Sequence, residues 1–293
     1  MNHNNMAELA VDCRCELGEG PQWDAGSGRL YWCDILGKRL HWLSLENGEQ
    51  GDYPLEQMVS LATPLNDGRL MLVGEHSLSL LNLATQHLEH FADFEADNPV
   101  TRSNDARVDR HGSLWLSTMG KTAEPKAGSL YRLHHGELTQ LRSGLTIPNA
   151  ICFSPQGDAA YFTDTSTGIV MRWALDSQGW PVGEPIAWAD FSAVEGNPDG
   201  AVIDSEGCLW LALWGAGKVV RLDTAGQVID EVHVPVSQPS CPAFAGPDLE
   251  TLYITTAQEG FSDAQRREEP LAGGLFKANV GVHGLADPLL TLE

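Results

Sequence analysis

One short pattern, a turn glycine followed by an apolar strand rich in aromatic residues, recurs along the chain. Its copies are Gly28–Asp34, Gly68–Val73, Gly112–Thr118, Gly157–Asp164, Gly207–Ala212 and Leu249–Thr256, the last without a glycine at that place. They are spaced about 40 to 50 residues apart, which is the period of a four-stranded propeller blade. A sandwich of similar hairpins is the alternative, but it needs no fixed long period. The sequence therefore predicts an all-β fold, a six-bladed β-propeller with four-stranded blades around a central channel, as a single domain over residues 1–293.

Both ends of the chain are expected to contribute strands. Leu9–Cys15 alternates like a strand but comes before the first hairpin. We expect it to complete the last blade, because closing the ring protects the strand edges. Gly274–Ala278 and Pro288–Leu292 are predicted as the final strands.

Charge and cysteine content exclude several classes of protein. The chain has 40 acidic and 18 basic residues, a formal net charge of −22, with no basic cluster to offset it. This balance argues against a nucleic-acid partner and against an anionic membrane surface. The six cysteines are scattered without a Cys-x-x-Cys motif, which favours buried thiols in a reducing compartment. The N-terminus shows no signal-peptide pattern, so we expect a cytoplasmic protein.

The repeats place different side chains at one equivalent position. About eight or nine residues before each turn, by the period of such blades, stand Glu19, Val59 or Ser60, Asn104, Asn149, Asp199 and Cys241. The innermost strands of a propeller line its channel, so equivalent positions converge at one end of the axis. We therefore expect four oxygen-bearing side chains to meet there.

This convergence predicts a site for a hard cation. Carboxylate and amide oxygens suit Ca²⁺, Mg²⁺ or Mn²⁺, and Zn²⁺ is a less typical guest. We expect one divalent metal ion, Ca²⁺ in the first place, and a carboxylate beside it, Asp199, as general base. Gly-x-Ser-x-Gly, Gly-x-Gly-x-x-Gly and Walker motifs do not occur, which argues against a serine hydrolase and against nucleotide cofactors.

Other polar residues are expected at the mouth of the channel. Arg102 stands two residues before Asn104, a pair suited to ligands rich in hydroxyl or carboxylate groups. The polar insert Met119–Ala127 is expected to fold over the mouth as a lid and to bring Lys121 or Glu124 to the ligand.

Several motifs, in this order and spacing, resemble a known family. They are Leu17-Gly-Glu-Gly-Pro, Asn104-Asp105 with Gly112, Pro148-Asn149-Ala-Ile-Cys-Phe-Ser-Pro, Asn197-Pro-Asp-Gly with Asp204-Ser-Glu-Gly-Cys-Leu-Trp, and Asp248-Leu-Glu-Thr-Leu-Tyr-Ile-Thr-Thr-Ala. Over nearly its whole length the chain resembles the SMP-30/gluconolactonase/luciferin-regenerating family. These six-bladed propellers include bacterial sugar lactonases and the animal protein regucalcin.

The resemblance assigns roles to individual residues. It implies Glu19, Asn149 and Asp199 as metal ligands, and Arg102 and Asn104 as substrate contacts. Met119-Gly-Lys-Thr departs from the animal relatives, which have an acidic pair after the methionine. We expect Lys121 to favour a substrate with a second carboxylate, such as an aldarolactone.

Together these observations predict metal-dependent hydrolysis of a sugar lactone to the open-chain acid, in carbohydrate catabolism. The partner is then a small sugar lactone, with discrimination between sugars expected from the rim loops Met119–Ala127 and Ala257–Pro270. Two alternatives remain: a metal-dependent esterase or phosphotriesterase on the same site, and a non-catalytic calcium-binding propeller.

Overall fold

Six antiparallel sheets of four strands each make up the fold. A computed structural model describes residues 6–292. Blade one is formed by β2 (Gly18–Asp24), β3 (Arg29–Asp34), β4 (Arg39–Ser44) and β5 (Gln50–Pro54). Blade two is formed by β6 (Val59–Pro64), β7 (Leu70–Gly74), β8 (Ser77–Asn82) and β9 (His87–Asp93). Blade three is formed by β10 (Thr101–Val108), β11 (Leu114–Gly120), β12 (Gly128–His134) and β13 (Glu137–Leu145). Blade four is formed by β14 (Pro148–Phe153), β15 (Ala159–Asp164), β16 (Ile169–Ala174) and β17 (Ile186–Asp190). Blade five is formed by β18 (Asn197–Ile203), β19 (Leu209–Trp214), β20 (Lys218–Leu222) and β21 (Val228–His233). Blade six is formed by β22 (Pro239–Ala245), β23 (Thr251–Thr256), β24 (Leu275–Asn279) and β1 (Glu8–Val11). The six-bladed propeller predicted from the repeat is confirmed.

The ring is closed by the N-terminal strand, as expected. In blade six the strand order is β22, β23, β24 and then β1. Strand β1 pairs antiparallel with β24, and Glu8 lies opposite Lys277. The last blade therefore combines strands from both ends of the chain, so that no blade is left with a missing outer strand.

Buried aspartates explain part of the repeated sequence pattern. Asp204 accepts hydrogen bonds from the amides of Glu206 and Cys208, the indole of Trp210 and the guanidinium of Arg221. In blade three, Asp109 accepts the equivalent bonds from His111, Ser113, Trp115 and Arg132. The acid before the turn glycine thus fixes the hairpin and the next two strands together, because a buried carboxylate requires several donors.

The C-terminal segment differs from the prediction. Residues Pro288–Leu292 form no strand; Leu290 makes only an isolated bridge with Leu65. The outer place in blade six is already taken by β1, so the segment crosses the end of the channel instead. There Asp287 pairs with the buried Arg107, with Oδ2 3.0 Å from Nη1, and also accepts a bond from Gln22.

Helical structure is slight in the described residues. Thr165–Thr167 forms a 3₁₀ turn and α1 spans Asp263–Glu268, within the loop that follows β23. Among residues 6–292 no helix has the length and apolar character needed to cross a membrane.

Candidate functional site

A break in the strand register shapes the mouth of the channel. Every innermost strand carries such an irregularity at the same level; in β2 it lies between Glu19 and Gln22, and in β18 between Pro198 and Ala201. An extra residue bends the strand and re-aims its side chains. The bulges therefore carry the polar residues that the sequence repeat brought into register.

These residues line one cavity of about 510 Å³. All six positions predicted as site residues contribute to its wall: Glu19, Arg102, Asn104, Lys121, Asn149 and Asp199. Thr165, Trp214 and Glu259 contribute as well. A cavity of this size is typical of a site for a small molecule.

Two of the four oxygen-bearing side chains, Asn104 and Asp199, lie one residue out of the predicted register. Strand pairing puts Asn149 in register with Glu19, and both are followed by a residue in the left-handed region, Gly20 and Ala150, each with φ of 57°. Asn104 and Asp199 stand one position later in their bulges. The two bulge conformations compensate for the offset, so all four side chains still reach the cavity.

Blades two and six add no side chain to the cavity wall at this level. The residue equivalent to Asp199 in blade six is Ser240, not Cys241 as expected. Cys241 packs against Gly200, where an added Cβ would come within 2.5 Å of it. Ser60 in blade two is buried and does not line the cavity either.

A chain of hydrogen bonds orients the amides of the site. Arg102 Nη1 donates to Asn104 Oδ1 at 2.9 Å, and Asn104 Nδ2 donates to Asn149 Oδ1 at 2.9 Å. Asn149 Nδ2 then donates to Thr165 Oγ1 at 3.0 Å, whose hydroxyl donates to the carbonyl of Pro198. Each amide nitrogen has an acceptor and each amide oxygen has a donor, so the orientation of both amides is fixed.

Three carboxylates lie close together in this cluster: Asp199 is buried, and Glu19 and Asp105 are half-buried. Burial, and then repulsion from Asp105, raise the pKa of Glu19 to about 8. Burial also raises the pKa of Asp105 to about 6. The pKa of Asp199 is raised well above its ordinary value, first by burial and then by the charges of Glu19 and Asp105.

This electrostatic pattern fits a bound cation. Arg102, which is 4% exposed, supplies a positive charge beside the carboxylates, and burial lowers its pKa. One such charge does not balance three acids in a site shielded from water. The remaining donors are hard oxygens on Glu19, Asn149 and Asp199, which suit Ca²⁺, Mg²⁺ or Mn²⁺.

The loop after β11 covers part of the mouth, as expected of a lid. Lys121, Thr122 and Ala123 line the cavity. The Lys121 ammonium pairs with Glu75 and donates to the carbonyl of Pro99. Glu124 does not reach the cavity, because its carboxylate accepts bonds from the amide and hydroxyl of Thr122 in the same loop.

Two acidic residues of the site were not given a role by the sequence pattern. Asp105 accepts a 2.6 Å bond from the amide of Ile151 and ties the bulges of blades three and four together. The sequence signal that could have identified Asp105 was its position directly after Asn104. Glu259 lies in the irregular loop after β23, and burial raises its pKa. No periodicity marks residues in such a loop, so no sequence signal was available for it.

A family comparison agrees with this geometry. Residues 17–258 match the sequence model of the SMP-30/gluconolactonase/LRE-like region. The chain belongs to this family. The matched residues run from the start of blade one to the loop that carries Glu259, and so include Glu19, Asn149 and Asp199.

Relatives of this SMP-30/gluconolactonase/LRE-like protein match over nearly the whole chain. A putative sugar lactone lactonase of Rhizobium meliloti is 41% identical, over 94% of each chain. An L-arabinolactonase of Azospirillum brasilense is 34% identical, over 96% of this chain and 94% of its own. Among solved structures, a calcium-binding protein, regucalcin, from Agrobacterium tumefaciens has a TM-score of 0.95 and 39% identity, and the match covers 98% of this chain and 97% of that one.

Proposed function

We propose that this protein hydrolyses a sugar lactone to the open-chain sugar acid, with a divalent cation held by Glu19, Asn149 and Asp199. The observation that carries the proposal is the cluster of oxygen-bearing side chains, Glu19, Asn149 and Asp199, in the wall of one cavity, with the pKa values of both carboxyl groups raised. Relatives named as lactonases support the substrate class. We further propose a role in carbohydrate catabolism in the cytoplasm, where the six free cysteines would stay reduced.

The cation we propose is Ca²⁺, with Mg²⁺, Mn²⁺ or Zn²⁺ as alternatives. A bound cation supplies Lewis acidity, which polarises a carbonyl and stabilises negative charge on its oxygen. The regucalcin neighbour is described as a calcium-binding protein, which supports the choice of Ca²⁺. The all-oxygen donor set supports it independently.

The protein's own side chains account for binding and proton transfer. Arg102 and Asn104, fixed by their mutual hydrogen bond, orient ring hydroxyls and the ester group. Asp199 takes a proton from the attacking water as the C–O bond forms. When the ring C–O bond breaks, the same proton passes to the leaving ring oxygen, which becomes a hydroxyl. In this proposal Lys121, which lines the cavity, contacts the far end of the substrate.

Lactone hydrolysis should be measured by proton release on a panel of aldonolactones and aldarolactones. Metal-stripped protein, protein restored with each cation, and Asp199→Asn would be compared. We expect one lactone class to be hydrolysed only with metal, and Asp199→Asn to lose about 10³-fold in kcat/KM, the usual range for a general base. The matched control is Asp190→Asn, because Asp190 is exposed and only caps Ser192.

Two outcomes would contradict the lactonase proposal. Turnover of aryl esters or organophosphates without any lactone would favour an esterase or phosphotriesterase on the same site. Cation binding without turnover of any of these substrates would favour a non-catalytic calcium-binding protein. An effect of Asp190→Asn as large as that of Asp199→Asn would show that the loss does not report on the site.

A further inference from the structure

A second group of ligand-type side chains lies outside the cavity, where blade one meets blade six. Cys15, Asp34 and His41 each place one donor atom within 4.8 Å of the donor atoms of the other two. They are 0%, 6% and 9% exposed. This is the one such group of histidine, cysteine and acidic residues in the described part of the chain.

Comparison with blade four shows which members of this group the common blade fold requires. Asp34 caps the turn before β2 through the amides of Glu16 and Leu17, as Asp164 caps the turn before β14 through Thr146 and Ile147. The aspartate therefore belongs to the shared architecture. The same register places Leu145 where blade one has Cys15, and Met171 where it has His41. The fold thus accepts apolar residues at both places, and it does not require a thiol and an imidazole.

His41 is the feature that points to a ligand. Its imidazole stacks on Trp32 with an interplanar angle of 13°. Its Nε2 atom is buried and has no hydrogen-bond partner in the described structure. A buried polar nitrogen without a partner is costly, since its hydration is lost without compensation. A cation bound to the imidazole would remove this cost.

We propose that Cys15, Asp34 and His41 form a structural site for a thiophilic divalent cation of the zinc class. Thiolate, imidazole and carboxylate are the common protein ligands of Zn²⁺, whereas Ca²⁺ takes oxygens only. Binding converts the Cys15 thiol to a thiolate and releases its proton to solvent. Asp34 accepts three amide bonds, from Glu16, Leu17 and Gly37, and so keeps one of about four lone-pair sites for the metal.

The geometry requires only a small contraction. Zinc bonds of about 2.3 Å to sulfur and about 2.0 Å to nitrogen hold tetrahedral ligand atoms about 3.5 Å apart. The three donor atoms, now within 4.8 Å of one another, would move together by about 1 Å, and a water molecule or Cys13 would complete the tetrahedron.

The position gives the site a structural purpose. The Cys15 amide donates to the carbonyl of Gly273 at 2.8 Å, and the Cys13 thiol donates to the same carbonyl at 3.2 Å. Cys15 therefore lies on the segment that leaves the outer strand of blade six and enters blade one. A cation joining it to Asp34 in β3 and His41 in β4 would fasten the closure of the ring.

Cobalt(II) is the probe that distinguishes this site from the cavity. Thiolate bound to Co²⁺ gives an intense near-ultraviolet charge-transfer band, and the proposed cavity ligands include no sulfur. The intact protein should show this band at one equivalent of Co²⁺, and Zn²⁺ should abolish it by displacement. Cys15→Ser and His41→Gln should each lose the band, while circular dichroism confirms that they are folded. The control Cys208→Ser, a buried thiol in blade five, should retain it.

Thermal unfolding supplies a second test. Zn²⁺ should raise the Tm of the intact protein and of Cys208→Ser by more than that of His41→Gln, in which only the cavity can still bind the cation. The proposal is overturned if no thiolate band appears when the protein is saturated with Co²⁺, or if His41→Gln keeps both the band and the full Zn²⁺-dependent rise in Tm. Neither result would alter the lactonase proposal, because that depends on lactone turnover and on Asp199.

Discussion

Blades one and four present almost the same backbone to the cavity and different chemistry. Glu19 of blade one corresponds to Asn149 of blade four, and each is followed by a left-handed residue in the bulge. One supplies a carboxylate and the other a neutral amide oxygen. The backbone thus determines where a donor atom lies, and the side chain at that place determines how much charge the site carries.

Beside the cavity the two blades differ in the same manner. Asp34 and Asp164 cap equivalent turns. The thiol of Cys15 and the imidazole of His41 lie near Asp34, whereas the corresponding positions near Asp164 hold Leu145 and Met171. A repeated blade therefore supplies a frame that different residues can use for catalysis, for metal binding or only for packing.

Exchanging the donor in blade one for that of blade four should have the largest effect. Glu19→Gln removes a negative charge from the proposed cation site and keeps the shape of the side chain. We expect cation affinity to fall about 100-fold and lactone turnover to fall about 10³-fold. Calorimetric titration with Ca²⁺ and steady-state kinetics would measure both effects.

The control for this exchange is Glu46→Gln, since Glu46 is exposed on a turn of blade one. Unchanged Ca²⁺ affinity in Glu19→Gln would show that the carboxylate is not a ligand and that the two blades differ there for packing alone.

Substitutions at Gly20 and Ala150, the residues that follow Glu19 and Asn149, should change the stability of the fold by different amounts. A Cβ at Gly20 would lie 2.2 Å from the backbone oxygen of Ser60, so Gly20→Ala should destabilise the fold by about 3 kcal/mol. Ala150→Gly relieves a left-handed alanine but removes a buried methyl group, two effects of about 1 kcal/mol each that oppose one another. Urea unfolding of the metal-free variants would compare them. Equal losses of stability would contradict the steric explanation.

A smaller effect is expected in the pH dependence of stability, because Glu19 of blade one titrates and the corresponding Asn149 of blade four does not. In the metal-free fold the pKa of Glu19 rises from 4.5 to about 8 because of burial, so the folded state binds more protons than the unfolded state between these values. The free energy of unfolding should therefore fall as the pH is raised from about 4.5 to about 8. Denaturant titrations of metal-free protein across this range would measure the slope.

Glu19→Gln should reduce that slope, because glutamine does not titrate, while Asp105 and Asp199, whose pKa values are also raised, still contribute to it. Asn149→Gln changes the corresponding side chain of blade four without changing a titrating group, and should leave the slope in place. A slope that is the same in all three proteins would mean that ionisation of Glu19 contributes little.

The repeat was sufficient to predict the blades because the residues that stabilise each hairpin lie within the same copy of the repeat. A buried aspartate such as Asp204, the turn glycine and the apolar strand after it are all local, so they appear at fixed spacing in the sequence. Ring closure by the N-terminal strand could also be predicted from the sequence, because that strand precedes the first hairpin and has no neighbouring strand to pair with. Glu19, Asn149 and Asp199 were selected as candidate ligands in the same way, by position within the repeat, and they line one cavity.

What the sequence did not show depends on contacts between distant segments. Cys241 was aligned with Asp199, because spacing alone does not reveal where a bulge adds a residue. Glu259 reaches the cavity through an irregular loop, and Lys121 is neutralised by Glu75 from another blade. Pro288–Leu292 was expected to be a strand, because its composition is apolar and its competition with β1 is not visible in the sequence.

The segment that carries Asp287 across the far end of the channel has a kinetic consequence. Arg107 and Gln22 hold it there, on the side of the channel away from the loop of Lys121. We therefore expect lactone and sugar acid to use the same opening, beside Lys121, so that the acid formed in one cycle delays entry of the next lactone. Under this arrangement inhibition by product should be competitive with substrate.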